Sequence, residues 1–274
     1  MSYATLMVHV EVDGELSGRV SVAADLADRF DAHLIGVGGW GPMAVFLAPE
    51  ELSSPGPTQP HLQDMKTLLD QKGEQFRAAV GRRGRRVEWR SVLDSPTEAV
   101  AREARAADLV IIGNDPPTGG PFRDLDPGSL LLKAGRPVLV VPKTVTSLTP
   151  KRIAIAWKDV REARRAVRDA LPFLQKAESV MIVEVSEEDG QNQTSHRAQD
   201  VAAYLTRHRI DTIAERVRPA EVAVTDALIR LVQDENIDLI VAGAYGHSRL
   251  GEWAFGGVTR ELLAESPICC LFSH

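Results

Sequence analysis

Short apolar runs alternate along this chain with longer stretches whose apolar positions recur every three or four residues. The runs "LVII" within 108–113 and "LIVA" within 238–243 are continuously apolar, which is typical of parallel strands covered on both faces. Over 16–30, the apolar residues Val20, Ala23, Ala24, Ala27 and Phe30 follow helical spacing. The pattern therefore predicts alternating strands and helices, as in an open α/β sheet.

The same reading extends over the whole chain. Strands are predicted at 4–10, 33–38, 86–92, 108–113, 137–141, 151–157, 179–185, 211–218, 238–243 and 267–272. Helices are predicted at 16–30, 61–80, 96–106, 128–134, 161–176, 195–208, 221–235 and 252–264. Ser95, followed by Pro96 and by Glu98 three residues after it, is the expected cap of one helix. The Gly-, Pro- and Ser-rich stretch after residue 38 is predicted to be a long loop.

An internal repeat divides this pattern into two halves. "DLVIIG" (108–113) is matched 130 residues later by "DLIVAG" (238–243), and "KAGRPVLVV" (133–141) by "LAESPICCL" (263–271) at the same offset. Each half offers five strands. The sequence thus predicts two tandem, doubly wound, five-stranded parallel-sheet domains, at 1–144 and 150–274, joined by the linker 142–151.

Composition and charge narrow the class of protein. The 274-residue chain carries a net charge of −6, which argues against nucleic acid as a partner. Neither a membrane-spanning apolar run nor a signal peptide is evident, so we expect no membrane association. The two cysteines, Cys269 and Cys270, are adjacent and suit a reducing cytoplasm; on a strand they are expected to face opposite sides, one buried and one at an interface.

A glycine-rich stretch follows the strand at 238–243. It contains Gly243, Gly246, Gly256 and Gly257 and leads into a predicted helix, whose free N–H groups could meet a phosphate. His247 and Arg249 are placed to meet negative charge, and Thr259 to donate a hydroxyl. Spacing alone favours the simpler interpretation, in which these glycines only turn the chain. The stretch is neither a Walker loop nor a G-x-G-x-x-G motif.

Both halves together resemble a tandem universal stress protein of the bacterial type. Gly243, Gly246 and Gly256 fit the G-x2-G-x9-G-[ST] motif of its nucleotide-binding members. The resemblance implies an adenine-nucleotide alpha hydrolase-like fold and a cytoplasmic, non-catalytic stress-response role. It also implies ATP or a related adenine nucleotide as ligand, with Mg²⁺ as an accompanying ion. A slow ATP hydrolase is the weaker alternative, because neither a well-placed base nor a magnesium carboxylate is evident.

The implied ligand-contacting residues all lie in the second half. They are Ala156, Trp157, Lys158, Val185, Gly243, Gly246, His247, Arg249, Gly256, Gly257, Val258 and Thr259. Two of them depart from the family pattern. Gly257 stands where the motif has Ser or Thr, and Lys158 stands where ATP-binding members carry the acidic residue that faces adenine. No catalytic residue and no metal ligand is predicted.

The first half departs further and is predicted to be a degenerate partner domain. No second glycine falls at the expected place after Gly113, and the acidic residues Asp124 and Asp126 would repel a phosphate. His9, within the first strand, is expected to be a hydrogen-bonded sheet histidine rather than a base.

The family often associates through its last strands, which here are 137–141 and 267–272. A tandem chain can pair its own two halves in this way and can also form a homodimer. A nucleotide-free interaction or scaffold protein is therefore the alternative function.

Overall fold

A computed structural model gives the fold of this chain. It describes residues 2–13, 16, 18–41, 59–81, 86–116, 119–185, 193–217, 224–245 and 257–274. The strands are β1 (Thr5–His9), β2 (His33–Gly39), β3 (Val87–Val92), β4 (Leu109–Gly113), β5 (Val138–Val141), β6 (Arg152–Trp157), β7 (Ser179–Val185), β8 (Thr212–Val217), β9 (Leu239–Gly243) and β10 (Cys269–Ser273). The helices are α1 (Gly18–Phe30), α2 (Gln59–Val80), α3 (Pro96–Glu103), α4 (Pro127–Lys133), α5 (Arg161–Asp169), α6 (Leu171–Leu174), α7 (Gln193–Arg207), α8 (Val224–Asp234) and α9 (Gly257–Glu265).

The residues group by their contacts into two compact units. The first unit comprises 3–136 and 143–147. Its four strands are all parallel and lie in the order β3-β2-β1-β4, with Val8 of β1 opposite Gly36 and Ile111. The five apolar residues that predicted α1 are all buried, so the helical periodicity of the sequence marks the face that covers the sheet.

The second unit comprises residue 2 together with 137–142 and 148–274. Its strand order is β5-β10-β9-β6-β7-β8, and every pairing from β10 to β8 is parallel. The chain runs outward from β6 through β7 to β8 and then returns to β9 on the other side of β6. The order of the strands therefore reverses between β6 and β9, which makes this a doubly wound sheet as predicted.

One strand of the first repeat joins the second unit. β5 pairs antiparallel with β10, with Val140 opposite Cys270 and Val138 opposite Phe272. The expected pairing of the last strands of the two repeats is thus confirmed. The first unit consequently holds four strands instead of five, while the α/β class is as predicted. The predicted domains at 1–144 and 150–274 divide the chain according to its sequence repeat. These boundaries stay a prediction.

The predicted helix at 161–176 is wrong in its length. It is two helices, α5 and α6, with Ala170 between them. Pro172 has no N–H to donate to the carbonyl group of Arg168, so a continuous helix loses a hydrogen bond there. The predicted cap at Ser95 is confirmed, because its hydroxyl oxygen accepts a hydrogen bond from the amide of Glu98 at 3.3 Å.

The expectation that one of the two cysteines faces an interface is wrong. Cys269 and Cys270 are both buried, each only 1% exposed. β10 lies between β5 and β9, and a strand inside such a sheet is covered on both faces. Burial raises the pKa of both thiols to about 12, so neither is a reactive thiolate at neutral pH.

Across the described part of the chain, no helix is long and apolar enough to cross a membrane.

Candidate functional site

The carboxyl ends of β6 and β9 form the edge of the second sheet where a ligand is expected. In open parallel sheets, ligands bind beyond the carboxyl ends of the strands where the strand order reverses. β6 and β9 are paired neighbours on the two sides of that reversal, with Ala156 opposite Ala242. The structure therefore brings Ala156, Trp157, Lys158 and Gly243 together at one edge.

Gly243 ends β9 where helix α5 approaches closely. A Cβ atom on Gly243 would lie 2.5 Å from the amide nitrogen of Ala163 and 2.7 Å from the carbonyl carbon of Glu162. Both are main-chain atoms of the first turn of α5, which cannot move aside as a side chain can. Glycine is needed here so that the start of α5 can rest on the strand end, whether or not a ligand binds.

Glu162 brings a buried carboxylate to the same place. Glu162 is 3% exposed, and its carboxylate accepts a hydrogen bond from the guanidinium of Arg161. Burial by itself raises the pKa of this carboxyl group, but the hydrogen bonds from Arg161 and from its own main-chain amide, with the charges of Arg161 and His274, lower it overall. Glu162 is thus ionised at neutral pH. Its carboxylate accepts a hydrogen bond from a main-chain amide at the start of α5, where negative charge is favoured.

Lys158 directly follows β6 and is exposed. Its carbonyl oxygen accepts a hydrogen bond from the amide of Val160 at 2.7 Å, which turns the chain sharply toward α5. The neighbouring Asp159 forms an ion pair with Arg164 at 2.6 Å. The cationic side chain of Lys158 is therefore exposed at the carboxyl end of β6.

Helix α9 begins at Gly257, which is exposed. Among the described residues, a Cβ atom there would meet only the carboxylate of Glu261, at 3.9 Å. Packing therefore does not require glycine at this position, and a serine would fit. Val258 is half-buried, and Thr259 is only 6% exposed, which leaves its hydroxyl little access to a ligand at the surface.

The start of the glycine-rich stretch is fixed from the opposite side. The amide of Ala244 donates to the carbonyl oxygen of Ser273 at 2.8 Å, and the ring of His274 lies 3.1 Å from the carbonyl oxygen of Ala244. The main-chain oxygen of His274 accepts a hydrogen bond from Arg165 of α5 at 2.7 Å. The chain leaves β9 along a defined path.

Several predicted site residues cannot be placed. Gly246, His247, Arg249 and Gly256 lie outside the described residues. Val185 is the last residue of β7, the strand that pairs with β6.

Two acidic residues that the sequence analysis did not single out also lie at this edge. One is Glu162, and the other is Glu184 of β7, which is 7% exposed and opposite Trp157. A charged residue inside the apolar run "SVMIVEV" was the available signal for Glu184.

The corresponding edge of the first unit is filled by its own side chains. Arg19 of α1 is 3% exposed and donates to Glu11 at 2.5 Å and to Asp115 at 3.0 Å. A Cβ atom on Gly113, the equivalent of Gly243, would collide with the Arg19 guanidinium. Arg19 thus occupies the end of β4.

The acidic residues of the first half have their own main-chain partners. The carboxylate of Asp124 accepts hydrogen bonds from the amides of Gly119 and Gly120, at 2.6 and 2.7 Å. Asp126 caps α4 by accepting from the amide of Gly128 and the hydroxyl of Ser129, at 3.0 and 2.6 Å. These carboxylates therefore take the donors that an incoming anion would need.

Within the described part of the chain, one ring nitrogen of His9 lacks the hydrogen bond expected of a sheet histidine. Its Nδ1 atom is buried and has no hydrogen-bond partner among the described residues. Burial, and then the nearby charge of Arg19, lower the pKa of His9 to about 3. His9 is therefore neutral at physiological pH. The described residues also contain no group of three or more His, Cys, Asp or Glu suited to hold a metal ion.

The fold defines a class: α/β proteins with a doubly wound sheet, in which the strand order here reverses between β6 and β9. Residues 150–273, in the second half of the chain, match the universal stress protein family. The resemblance seen in the sequence is thereby confirmed.

Solved structures share the fold over nearly the whole chain. A universal stress protein from Archaeoglobus fulgidus DSM 4304 is 12% identical, with 97% of this chain and 94% of that chain covered and a TM-score of 0.73. A functionally unknown protein from Pseudomonas aeruginosa PAO1 is 14% identical, with 98% and 92% covered and a TM-score of 0.60. A universal stress protein in complex with cAMP is 20% identical, with 53% and 100% covered; its TM-score of 0.36 is too low to transfer the ligand. No curated protein is significantly similar in sequence.

Proposed function

We propose that this protein is a non-catalytic stress-response protein that binds an adenine nucleotide in its second half. The ligand lies beyond the carboxyl ends of β6, β7 and β9. In this proposal the glycine-rich stretch from Gly243 to Gly257 contacts its phosphates, with His247 and Arg249 as further contacts. Mg²⁺ accompanies the nucleotide as the counterion of its phosphates.

The observation that carries this proposal is the reversal of charge between the two strand edges. Leu6 lies opposite Leu109 in the first unit, and Ile153 lies opposite Leu239 in the second. Because Leu109 and Leu239 are equivalent in the repeat, counting forward along the chain makes Lys158 the equivalent of Glu11. The first edge holds an acid that already binds Arg19, whereas the second presents an exposed cation.

A cation at the end of β6 suits a phosphate ligand in two ways. Lys158 is a flexible point charge, which is the form in which lysine commonly binds phosphates. Its side chain is also exposed, so it can reach a ligand at the strand edge. Lys158 thus replaces the base-facing acid of the family with a contact to the phosphates.

Binding is tested by thermal unfolding and calorimetry with MgATP. A ligand present at 100 times its Kd adds about 2.7 kcal/mol to the free energy of unfolding, which a melting curve detects easily. We expect Lys158→Glu to weaken the affinity at least tenfold, since a charge reversal replaces attraction with repulsion. Lys143→Glu is the matched control, because Lys143 is also exposed but belongs to the first unit by its contacts.

Two results would contradict the proposal. One is a folded wild-type protein whose melting temperature does not change at millimolar MgATP. The other is an equal effect of the Lys158 and Lys143 substitutions, which would indicate nonspecific attraction between the protein and the nucleotide.

The pairing of β5 with β10 favours a second candidate, a nucleotide-free scaffold. β10 already has β5 on one side and β9 on the other, so it offers no free edge to another copy. A scaffold would therefore work as a single chain or dimerise through another surface. Light scattering over a range of concentrations separates these cases: a constant mass of one chain excludes the homodimer.

A further inference from the structure

The side chain of Trp157 is the unexplained polar group at the second strand edge. Trp157 is the last residue of β6 and is 7% exposed. Its indole Nε1 atom is buried and has no hydrogen-bond partner among the described residues. Buried indole N–H groups usually find an acceptor, and leaving one without a partner costs free energy. A donor of this kind at the strand edge is available to a ligand.

The register of the sheet shows where this side chain lies. Ala156 is opposite Ala242, so the next residues, Trp157 and Gly243, share the other face of the sheet. This is the face on which α5 rests, because the missing Cβ atom of Gly243 points at the first turn of α5. Trp157 therefore lies on the α5 side of the edge, beside the strand end that begins the glycine-rich stretch.

The neighbour of Trp157 on its other side is a carboxylate. Glu184 of β7 is directly opposite Trp157 in the register, and it is 7% exposed. Paired strands are about 4.8 Å apart, so a ligand group at one side chain is within reach of the other. Glu184 already makes an interaction within the protein. A carboxylate has about four acceptor sites, however, and can accept a further hydrogen bond.

We propose that Trp157 and Glu184 together read the base of the bound nucleotide, the indole as donor and the carboxylate as acceptor. Adenine presents the complementary pair side by side, with a ring nitrogen that accepts and an exocyclic amino group that donates. Glu184 thus supplies, from β7, the acid that is missing at Lys158 on β6. This inference rests on the proposed nucleotide site and assigns the groups that select the base.

The indole signals in a ¹⁵N–¹H correlation spectrum provide the direct test. The chain has four tryptophans, and the Trp157 signal is identified by its loss in Trp157→Phe. On addition of ATP, we expect this signal to move downfield as the N–H gains an acceptor. Trp89 is the matched control, because its buried Nε1 also has no partner among the described residues but lies in β3 of the first unit.

Affinities give the second measurement. Trp157→Phe keeps an aromatic ring but loses the donor, and one hydrogen bond corresponds to a loss of about two- to twelvefold in affinity. Trp89→Phe should leave the affinity unchanged. Circular dichroism and the melting temperature without ligand confirm that each variant folds.

Glu184→Gln tests the acceptor. The wild-type protein should bind ATP more tightly than purine riboside triphosphate, which lacks the exocyclic amino group. In Glu184→Gln this preference should fall severalfold, because a neutral amide oxygen is a weaker acceptor than a carboxylate.

The outcomes separate this inference from the proposed function. If the wild-type protein binds ATP but the Trp157 signal does not move and Trp157→Phe binds equally well, the base-reading role is wrong and the nucleotide site stands. If the wild-type protein binds no adenine nucleotide, both are wrong.

Discussion

The two strand ends at Gly113 and Gly243 carry the same residue for different reasons. At Gly243, the space of a side chain is taken by the main chain of α5, whereas at Gly113 it is taken by the guanidinium of Arg19 and the carboxylate of Asp115. One edge is closed by its own charged side chains, and the other presents Lys158 to the surroundings. A repeated motif can therefore keep its glycine in both copies although different atoms fill the space beside it.

The largest effect is expected from removing the guanidinium group of Arg19, which fills the strand edge of the first unit. Arg19→Ala leaves Glu11 and Asp115 without their buried cation, and breaking such a group costs about 3 kcal/mol of the free energy of unfolding. Urea unfolding measures this. The control is Arg77→Ala, which removes an exposed ion pair with Glu74 and should cost under about 1 kcal/mol. Equal losses would show that Arg19 does not hold the first edge together.

The two glycines should respond differently to a methyl group. Gly243→Ala forces Cβ against the main chain of α5 and is expected to lower the free energy of unfolding by about 2 kcal/mol. Gly113→Ala should cost less, because the atoms it meets belong to side chains. Gly257→Ala, with 3.9 Å of space, is the control and should be nearly neutral. A Gly113→Ala loss as large as that of Gly243→Ala would remove the distinction.

Acid should weaken the first unit through His9. The folded-state pKa is about 3, against an unfolded value of 6.5, so below pH 6.5 the unfolded chain takes up a proton that the folded protein refuses. Stability is therefore lost as the pH falls from 6.5 toward 3. Between pH 7.5 and 5.5 the loss is about 1.4 kcal/mol.

The substitution His9→Ala isolates this contribution by removing the imidazole. Alanine is chosen because Ala156 occupies the equivalent position of the second unit. In the variant, the difference in free energy of unfolding between pH 7.5 and 5.5 should shrink by about 1.4 kcal/mol. His61→Ala, at an exposed site on α2, should keep the wild-type pH dependence. An unchanged dependence in His9→Ala would mean that His9 takes up its proton in the folded protein.

The smallest effect concerns the helix that follows the first edge. Asp126→Ala removes the cap of α4 and should cost about 1 kcal/mol of the free energy of unfolding, whereas Asp126→Asn should retain most of it. Asp64→Ala, on the exposed face of α2, is the control and should change stability by under about 0.5 kcal/mol. Equal values for Asp126→Ala and Asp64→Ala would show that the cap contributes nothing.

Much of the fold could be predicted because its signals are local. Apolar runs marked the strands, helical spacing marked α1, and Ser95 marked the start of α3. The break between α5 and α6 was also visible in Pro172 but was outweighed by the surrounding periodicity. For the candidate site, the repeat in the sequence located the strand end at Gly243. The close contact of Gly243 with α5 could not be predicted, because it depends on how the helix packs on the sheet.

The sequence by itself determined the α/β class, the tandem repeat and the position of the glycine-rich stretch, because each depends on residues close together or on a fixed offset. Only the tertiary structure decided that Arg19 joins Glu11 to Asp115, which is 96 residues further along the chain, and that β5 pairs with β10. It also placed Glu184 beside Trp157. These relations depend on which distant segments meet in the folded chain, and no local pattern of polar and apolar residues specifies them.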